Sequence, residues 1–184
     1  MRDIPLSILR GGLIGVIPQD PFLFNGSIRY NLDPYEEFED CELVRAIEMS
    51  NLAGTFSGRE NVPTDAEYDE RVLDEETGDI KYHLKWRKVL NHDVTDLSTG
   101  QRQLVCLARC ILRETKLVLV DEATSSLDPQ AEINLFKVLV SSIPYDTTII
   151  IICHNPKAVA PFCNLIIELE KGNVKRYEMQ DVIL

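Results

Sequence analysis

Apolar residues recur along this chain at two different spacings. Leu104, Leu107, Ala108, Ile111 and Leu112 fall on one face of a helix. The run follows Ser98-Thr99-Gly100-Gln101, which has the form of a capping box, with Ser98 as N-cap and Gln101 three residues on. Leu117, Val118, Leu119 and Val120 then form an unbroken apolar run. That pattern predicts a strand covered on both faces, as in a parallel sheet, and it ends in Asp121 and Glu122. Around this centre, residues 13–17 predict a strand stopped by Pro18, and residues 36–51 a helix with Leu43, Val44 and Ile47 inward. Pro129 suits the first turn of another helix, whose inner face is Ala131, Leu135, Val138 and Leu139. Residues 147–152 predict a strand ending at Cys153 and His154. Residues 165–169 and 174–177 predict a strand pair around a Gly172-Asn173 turn. Strands alternating with helices imply an α/β fold.

At 184 residues and 45% apolar content, one compact domain with a real core is expected. The net charge of −11 argues against a generic nucleic-acid or anionic-membrane surface, which needs a basic patch. No run of 18 apolar residues and no signal-peptide pattern occur, so a cytosolic setting is expected, with attachment to a membrane-crossing partner left open. Cys41, Cys106, Cys110, Cys153 and Cys163 form no C-x-x-C pair and read as reduced, mostly buried thiols. Residues 59–81 carry nine acids against three bases and read as a solvated surface insertion.

Three places carry candidate chemistry. Asp121 and Glu122 stand at the mouth of the predicted buried strand, where ligands of open parallel sheets bind. An acid there can hold Mg²⁺, and a neighbouring Glu can orient or deprotonate a water. Ser98 and Gly100 leave a small, open helix N-terminus, a ready seat for a phosphate. His154, at the mouth of a second strand, suits metal binding, proton shuttling or phosphate contact. Gln19 is a polar residue in a Pro-rich loop, and Phe22, Leu23 and Phe24 after it suit either core or interface. Trp86, His83 and His92 are given no chemistry.

Taken together, LSTGQRQL resembles the signature motif of ATP-binding cassette (ABC) ATPases. LVLVDEATSSLD is similar to their Walker B strand, catalytic glutamate and D-loop. With VIPQDPFLFNGSIRYNLDP near the start, the chain most resembles the second nucleotide-binding domain of multidrug-resistance-associated (ABCC-like) transporters. The resemblance implies a P-loop NTPase-type parallel sheet core with an α-helical signature subdomain. Residues 1–30 would form the Q-loop region, 31–112 the helical subdomain with its acidic insertion at 59–81, and 113–184 the Walker B, D-loop and H-loop core. It implies ATP and Mg²⁺ as ligands, with Asp121 and Gln19 at the metal. Glu122 would be the general base, Gln19 would position the water, and His154 would meet the γ-phosphate. Ser98, Gly100 and Gln101 would cap the ATP of a second ABC ATPase domain in a head-to-tail pair, with Asp128 at that interface. Transmembrane domains of a transporter on the cytoplasmic side of a membrane, and no nucleic acid, complete the implied partners.

One motif of the family does not occur: the phosphate-binding loop G-x-x-x-x-G-K-[ST]. That loop supplies backbone N–H donors and a lysine to the β- and γ-phosphates. The expectation is therefore an N-terminally truncated ATPase domain, which alone neither binds ATP tightly nor turns it over, with part of its sheet uncovered. A signature-bearing module without catalysis, completing an ATP site in trans, is the alternative. A DNA-repair or translation type is disfavoured by the acidic charge and by the absence of a heptad run before the signature.

Overall fold

The computed structural model describes residue 5 and residues 12–56, 72–73, 80–81, 84–123, 129–154 and 156–179. Asp128 and most of the 59–81 insertion lie outside these described residues.

The centre is a three-stranded, all-parallel sheet. Strand β1 (Ile14–Ile17) and strand β5 (Thr148–Ile152) flank β4 (Leu117–Asp121), in the order β1-β4-β5. Ile17 pairs with Val120, Val120 with Ile151, and Asp121 with Ile152, so the three strands end level. Between β1 and β4 the chain forms a helical layer: α1 (Ile28–Leu32), α2 (Asp40–Met49), α3 (Leu84–Leu90) and α4 (Thr99–Leu112). Helix α5 (Pro129–Ser142) joins β4 to β5, the helical crossover that parallel strands require. A short α6 (Pro156–Val159) leads to an antiparallel hairpin, β6 (Leu165–Glu170) and β7 (Asn173–Met179). Inside the acidic insertion, β2 (Val72–Leu73) and β3 (Ile80–Lys81) pair antiparallel, so that stretch is not wholly irregular.

Helix α4 explains the position of the core. The expected face, from Leu104 to Leu112, is buried, but so are Gln103, Val105, Cys106 and Cys110. The helix is thus enclosed nearly all round, wider than a one-faced amphipathic pattern implies. It packs so close to β1 that a Cβ at Gly15 would lie 2.4 Å from the Cys110 sulfur. A glycine is required there by the approach of helix to strand. Cys106 and Cys110 are buried and Cys41 is exposed, and no disulfide joins any of the five cysteines.

The sheet is covered on one face only, in line with the expectation of a partly uncovered sheet and against the two-sided cover that the apolar run of β4 alone implies. Gly15, Ile17, Val118 and Val120 point into the core and are buried. On the opposite face Val16 is 49% exposed, Ile150 48% and Ile152 56%. An aliphatic side chain gains roughly 1.5–3 kcal/mol from full burial, so each of these forgoes about half of that. The unbroken apolar run in the sequence is therefore matched by cover on one side only. The hairpin repeats the pattern, with Ile167 52% and Leu169 68% exposed.

Two boundaries also move. The helix expected over residues 36–51 begins at Asp40, because Glu36 takes a left-handed φ of 56°. Glu39 and Glu42 then close a capping box around the new start. The β6–β7 turn is made by Lys171 and Gly172, with φ of 49° and 79°, and not by Gly172-Asn173. A two-residue hairpin turn with positive φ at both positions twists in the sense of its strands, and Asn173 is already in β7.

Candidate functional site

The level strand ends gather the predicted residues. Gln19 lies two residues beyond β1, Asp121 ends β4, Glu122 follows it, and His154 lies two residues beyond β5. All four therefore stand at the carboxyl edge of one parallel sheet, where such sheets bind ligands. Gln19 and Asp121 are exposed there.

Glu122 and His154 are brought into direct contact. Glu122 Oε1 and His154 Nε2 are 2.8 Å apart, with the glutamate side chain 29% exposed and the histidine 83%. Glu122 adopts φ of 46°, a left-handed conformation that L side chains take at a cost of about 1–2 kcal/mol. It is held in that conformation from two sides. Its own N–H donates to the Ile152 carbonyl at 3.0 Å, tying it to the end of β5. The next residue, Ala123, is buried, and its carbonyl accepts from the Gln103 side-chain amide of α4. The turn out of β4 thus aims the Glu122 carboxylate back across the sheet edge toward β5.

The start of α4 is the second part. The Ser98 hydroxyl accepts from the Gln101 N–H at 3.3 Å, and the Gln101 side-chain oxygen accepts from the Ser98 N–H at 2.9 Å. The capping box read from the sequence is present. It turns the Gln101 amide inward, where it is buried, so the outward elements of this turn are Ser98, Thr99 and Gly100. A hollow of about 320 Å³ opens beside it, lined by Asp20, Pro21, Leu97, Ser98, Thr99 and Arg102. This brings the residues directly after Gln19 against the α4 N-terminus. Among the described residues, no three His, Cys, Asp or Glu side chains converge into a metal cage. A single exposed carboxylate at a strand end fits Mg²⁺, which keeps several waters and takes the rest of its ligands from bound phosphates.

The sequence reading missed a polar hub behind this hollow. Asn31 is 2% exposed, and its side-chain oxygen accepts from the Phe24 N–H at 2.8 Å. Its side-chain nitrogen donates to the Phe24 and Ser27 carbonyls at 2.9 and 3.0 Å. Arg109 of α4 donates through Nε to the Asn31 carbonyl at 2.6 Å and through Nη2 to its side-chain oxygen at 3.0 Å. Burial lowers the pKa of this guanidinium, against the opposing pull of Cys106. The loop after Gln19 is thereby fixed to α4. It displays an exposed edge-to-face stack, with Phe22 5.3 Å from Phe24 and Phe24 6.1 Å from Tyr30. Phe22 is 71% exposed, whereas Leu23 packs against the core. No periodicity marks Asn31 or Arg109, since their pairing depends on a contact between residues 78 positions apart.

The sequence model of the family described as ABC transporter matches residues 6–125. The chain is 32% identical over 165 residues to an ATP-dependent bile acid permease of Saccharomyces cerevisiae, covering 90% of this chain and 10% of that protein. It is 33% identical over 178 residues to the ATP-binding cassette sub-family C member 3 of Rattus norvegicus, covering 97% of this chain and 10% of that protein. The chain therefore spans about a tenth of the length of these relatives. Its fold matches that of a bacterial Atm1-family ABC exporter with ATP bound, at a TM-score of 0.68 and 22% identity, over 97% of this chain and 27% of that one.

Proposed function

The chain belongs to the ABC transporter family, and from that premise we propose that it is part of the ATP-hydrolysing domain of an exporter. The observation that carries the reading is the convergence of Glu122 and His154 at the level ends of β4 and β5, beside Asp121. Bound Mg²⁺ would supply charge neutralisation on the transferred phosphoryl oxygens. Asp121 holds the metal, with Gln19 reaching it from the end of β1. Gln19 also orients the attacking water, and the Glu122 carboxylate takes its proton. His154, exposed and 2.8 Å from Glu122, is placed to hydrogen-bond the γ-phosphate and to keep the carboxylate in line. General acid–base assistance of this kind contributes typically 10²–10⁴-fold.

Ser98 and Gly100 at the α4 N-terminus meet the phosphates of ATP held by a second ATPase domain, packed head to tail. Asp128, outside the described residues, belongs to the same interface in this proposal. Gln101 serves there through the cap that its side-chain oxygen makes with the Ser98 N–H, and not by touching ATP itself. The Phe22–Phe24–Tyr30 stack suits the membrane-domain side of a transporter and supports a position at the cytoplasmic face of a membrane. Among the described residues no helix is long and apolar enough to cross a membrane. The open apolar face at Val16, Ile150 and Ile152 supports the view that further structure covers the sheet in the working domain. A second reading is a non-catalytic module whose signature turn, with Ser98, Thr99 and Gly100 outward, completes an ATP site in trans. ATP turnover by the chain joined behind a segment bearing that loop separates the two. Mg²⁺-dependent hydrolysis that needs Glu122 supports the enzyme. Hydrolysis that depends only on an added complete domain supports the module.

A further inference from the structure

Gln103 is fully enclosed in the middle of α4, with no exposed surface. Its side-chain nitrogen donates to the carbonyl of Ala123, the residue after Glu122. Its side-chain oxygen has no hydrogen-bond partner among the described residues. A buried amide with one end unsatisfied burdens a core, so what its satisfied end holds accounts for its presence. Among the described residues the one side-chain hydrogen bond it makes spans 20 residues of sequence, from the helix of the capping box to the turn that carries Glu122.

That turn needs holding. Glu122 sits at φ of 46°, and its backbone is tied to β5 through the Ile152 carbonyl. Gln103 holds the Ala123 carbonyl, one peptide further on, so the chain is anchored on both sides of the strained residue. Between these two anchors the carboxylate meets His154. We propose that Gln103 is a positioning residue for the hydrolytic step: it anchors Ala123, the residue after Glu122, and so keeps that carboxylate set against His154. The proposal rests on the catalytic reading of Glu122 given above. It also gives α4 a mechanical route to the carboxylate, because a shift of the helix would move Ala123 with it.

The test uses the full 184-residue chain, isotope-labelled, and compares wild type with Gln103→Met, Gln103→Asn and Glu122→Ala. Two signals are read at one fixed pH: the Nε2 nitrogen resonance of His154 and hydrogen exchange at the Glu122 amide. Gln103→Met should still fold, with a somewhat lower melting temperature because the Ala123 carbonyl loses its donor. It should move the His154 resonance to its Glu122→Ala position and speed exchange at the Glu122 amide at least tenfold. Exchange at Val118 and Val120, in the middle of β4, should stay unchanged. Gln103→Asn, which keeps the amide but withdraws it from the Ala123 carbonyl, should give the same pattern. If Glu122→Ala moves the His154 resonance and neither Gln103 variant does, the positioning role is overturned while the catalytic pair stands. If Glu122→Ala moves nothing, the pair itself is absent, and both readings fall. Should both Gln103 variants fail to fold, the wild-type side-chain amide protons of Gln103 decide. Slow exchange supports the lock, and exchange at solvent rate overturns it.

Discussion

At the scale of single residues, the site is a set of side chains whose freedom has been removed by their neighbours. Glu122 is restrained through its own N–H and through the carbonyl of Ala123 after it, and the Asn31 side chain through four hydrogen bonds to the Phe24–Ser27 loop and Arg109. Cys110 shows the same enclosure chemically: burial pushes its thiol up to about 12, and that of Cys106 is also raised. The thiolate is the reactive form, so iodoacetamide at pH 8 should label exposed Cys41 readily and leave Cys106 and Cys110 unlabelled until the chain unfolds. The linkage has a definite sign. The folded pKa of Cys110 lies above the ordinary value of 9.0, so its contribution to stability is complete below pH 9 and is lost as pH rises toward about 12. Denaturation midpoints should therefore fall across that alkaline window, and a Cys110→Ala variant should show a shallower fall. Asp121, Glu122 and His154 were legible in the sequence as strand-end residues because each follows an apolar run whose end is visible, whereas Gln19 was marked out only by the family resemblance. Gln103 and Arg109 were not, because nothing local to a helix says which polar residue will face a loop far along the chain.

Among the elements, α4 does the most. It covers β1, anchors the Gln19 loop through Arg109, reaches the Glu122 turn through Gln103, and presents its own N-terminus to the hollow beside Asp20. Its capping box was readable from Ser98 and Gln101 because both partners lie within one turn. Removing the cap by Ser98→Ala should cost about 1 kcal/mol, read as a lower urea midpoint at unchanged slope. Ser98→Asp should restore most of that loss, since Asp caps as well as Ser. A midpoint indifferent to Ser98→Ala would mean that the cap is not formed in solution. Element boundaries were less legible for a reason the backbone makes plain. The start of α2 is set by the left-handed Glu36 and the Glu39 cap, and the β6–β7 turn by Lys171. A non-glycine residue at positive φ leaves little trace in composition.

For the whole molecule, the sequence pattern and the structure differ in one instructive respect. The residues of β1, β4 and β5 are apolar on both faces, as suits a strand buried on both sides. The fold covers only the face toward α4, and β5 is an edge strand with Ile150 and Ile152 exposed. Parallel order was inferable from the alternation of strands and helices, and incomplete cover from the lack of the G-x-x-x-x-G-K-[ST] loop in the sequence, but not which face stays open, because that depends on what else packs on the sheet. An open apolar face on an edge strand favours association with other chains. Ile150→Lys should reduce self-association, seen by light scattering at micromolar concentration, and should change stability by no more than about 0.5 kcal/mol. Unaltered scattering would show that this face does not drive association.

The central claim is that Glu122, placed by the β4 turn against His154, is the proton acceptor in ATP hydrolysis. The most direct measurement is steady-state ATP turnover by the chain joined behind a segment bearing the G-x-x-x-x-G-K-[ST] loop, comparing wild type with Glu122→Gln. The account predicts that the variant retains ATP binding and loses at least about 100-fold in kcat, as expected for removal of a general base. Turnover by Glu122→Gln within twofold of wild type would contradict it.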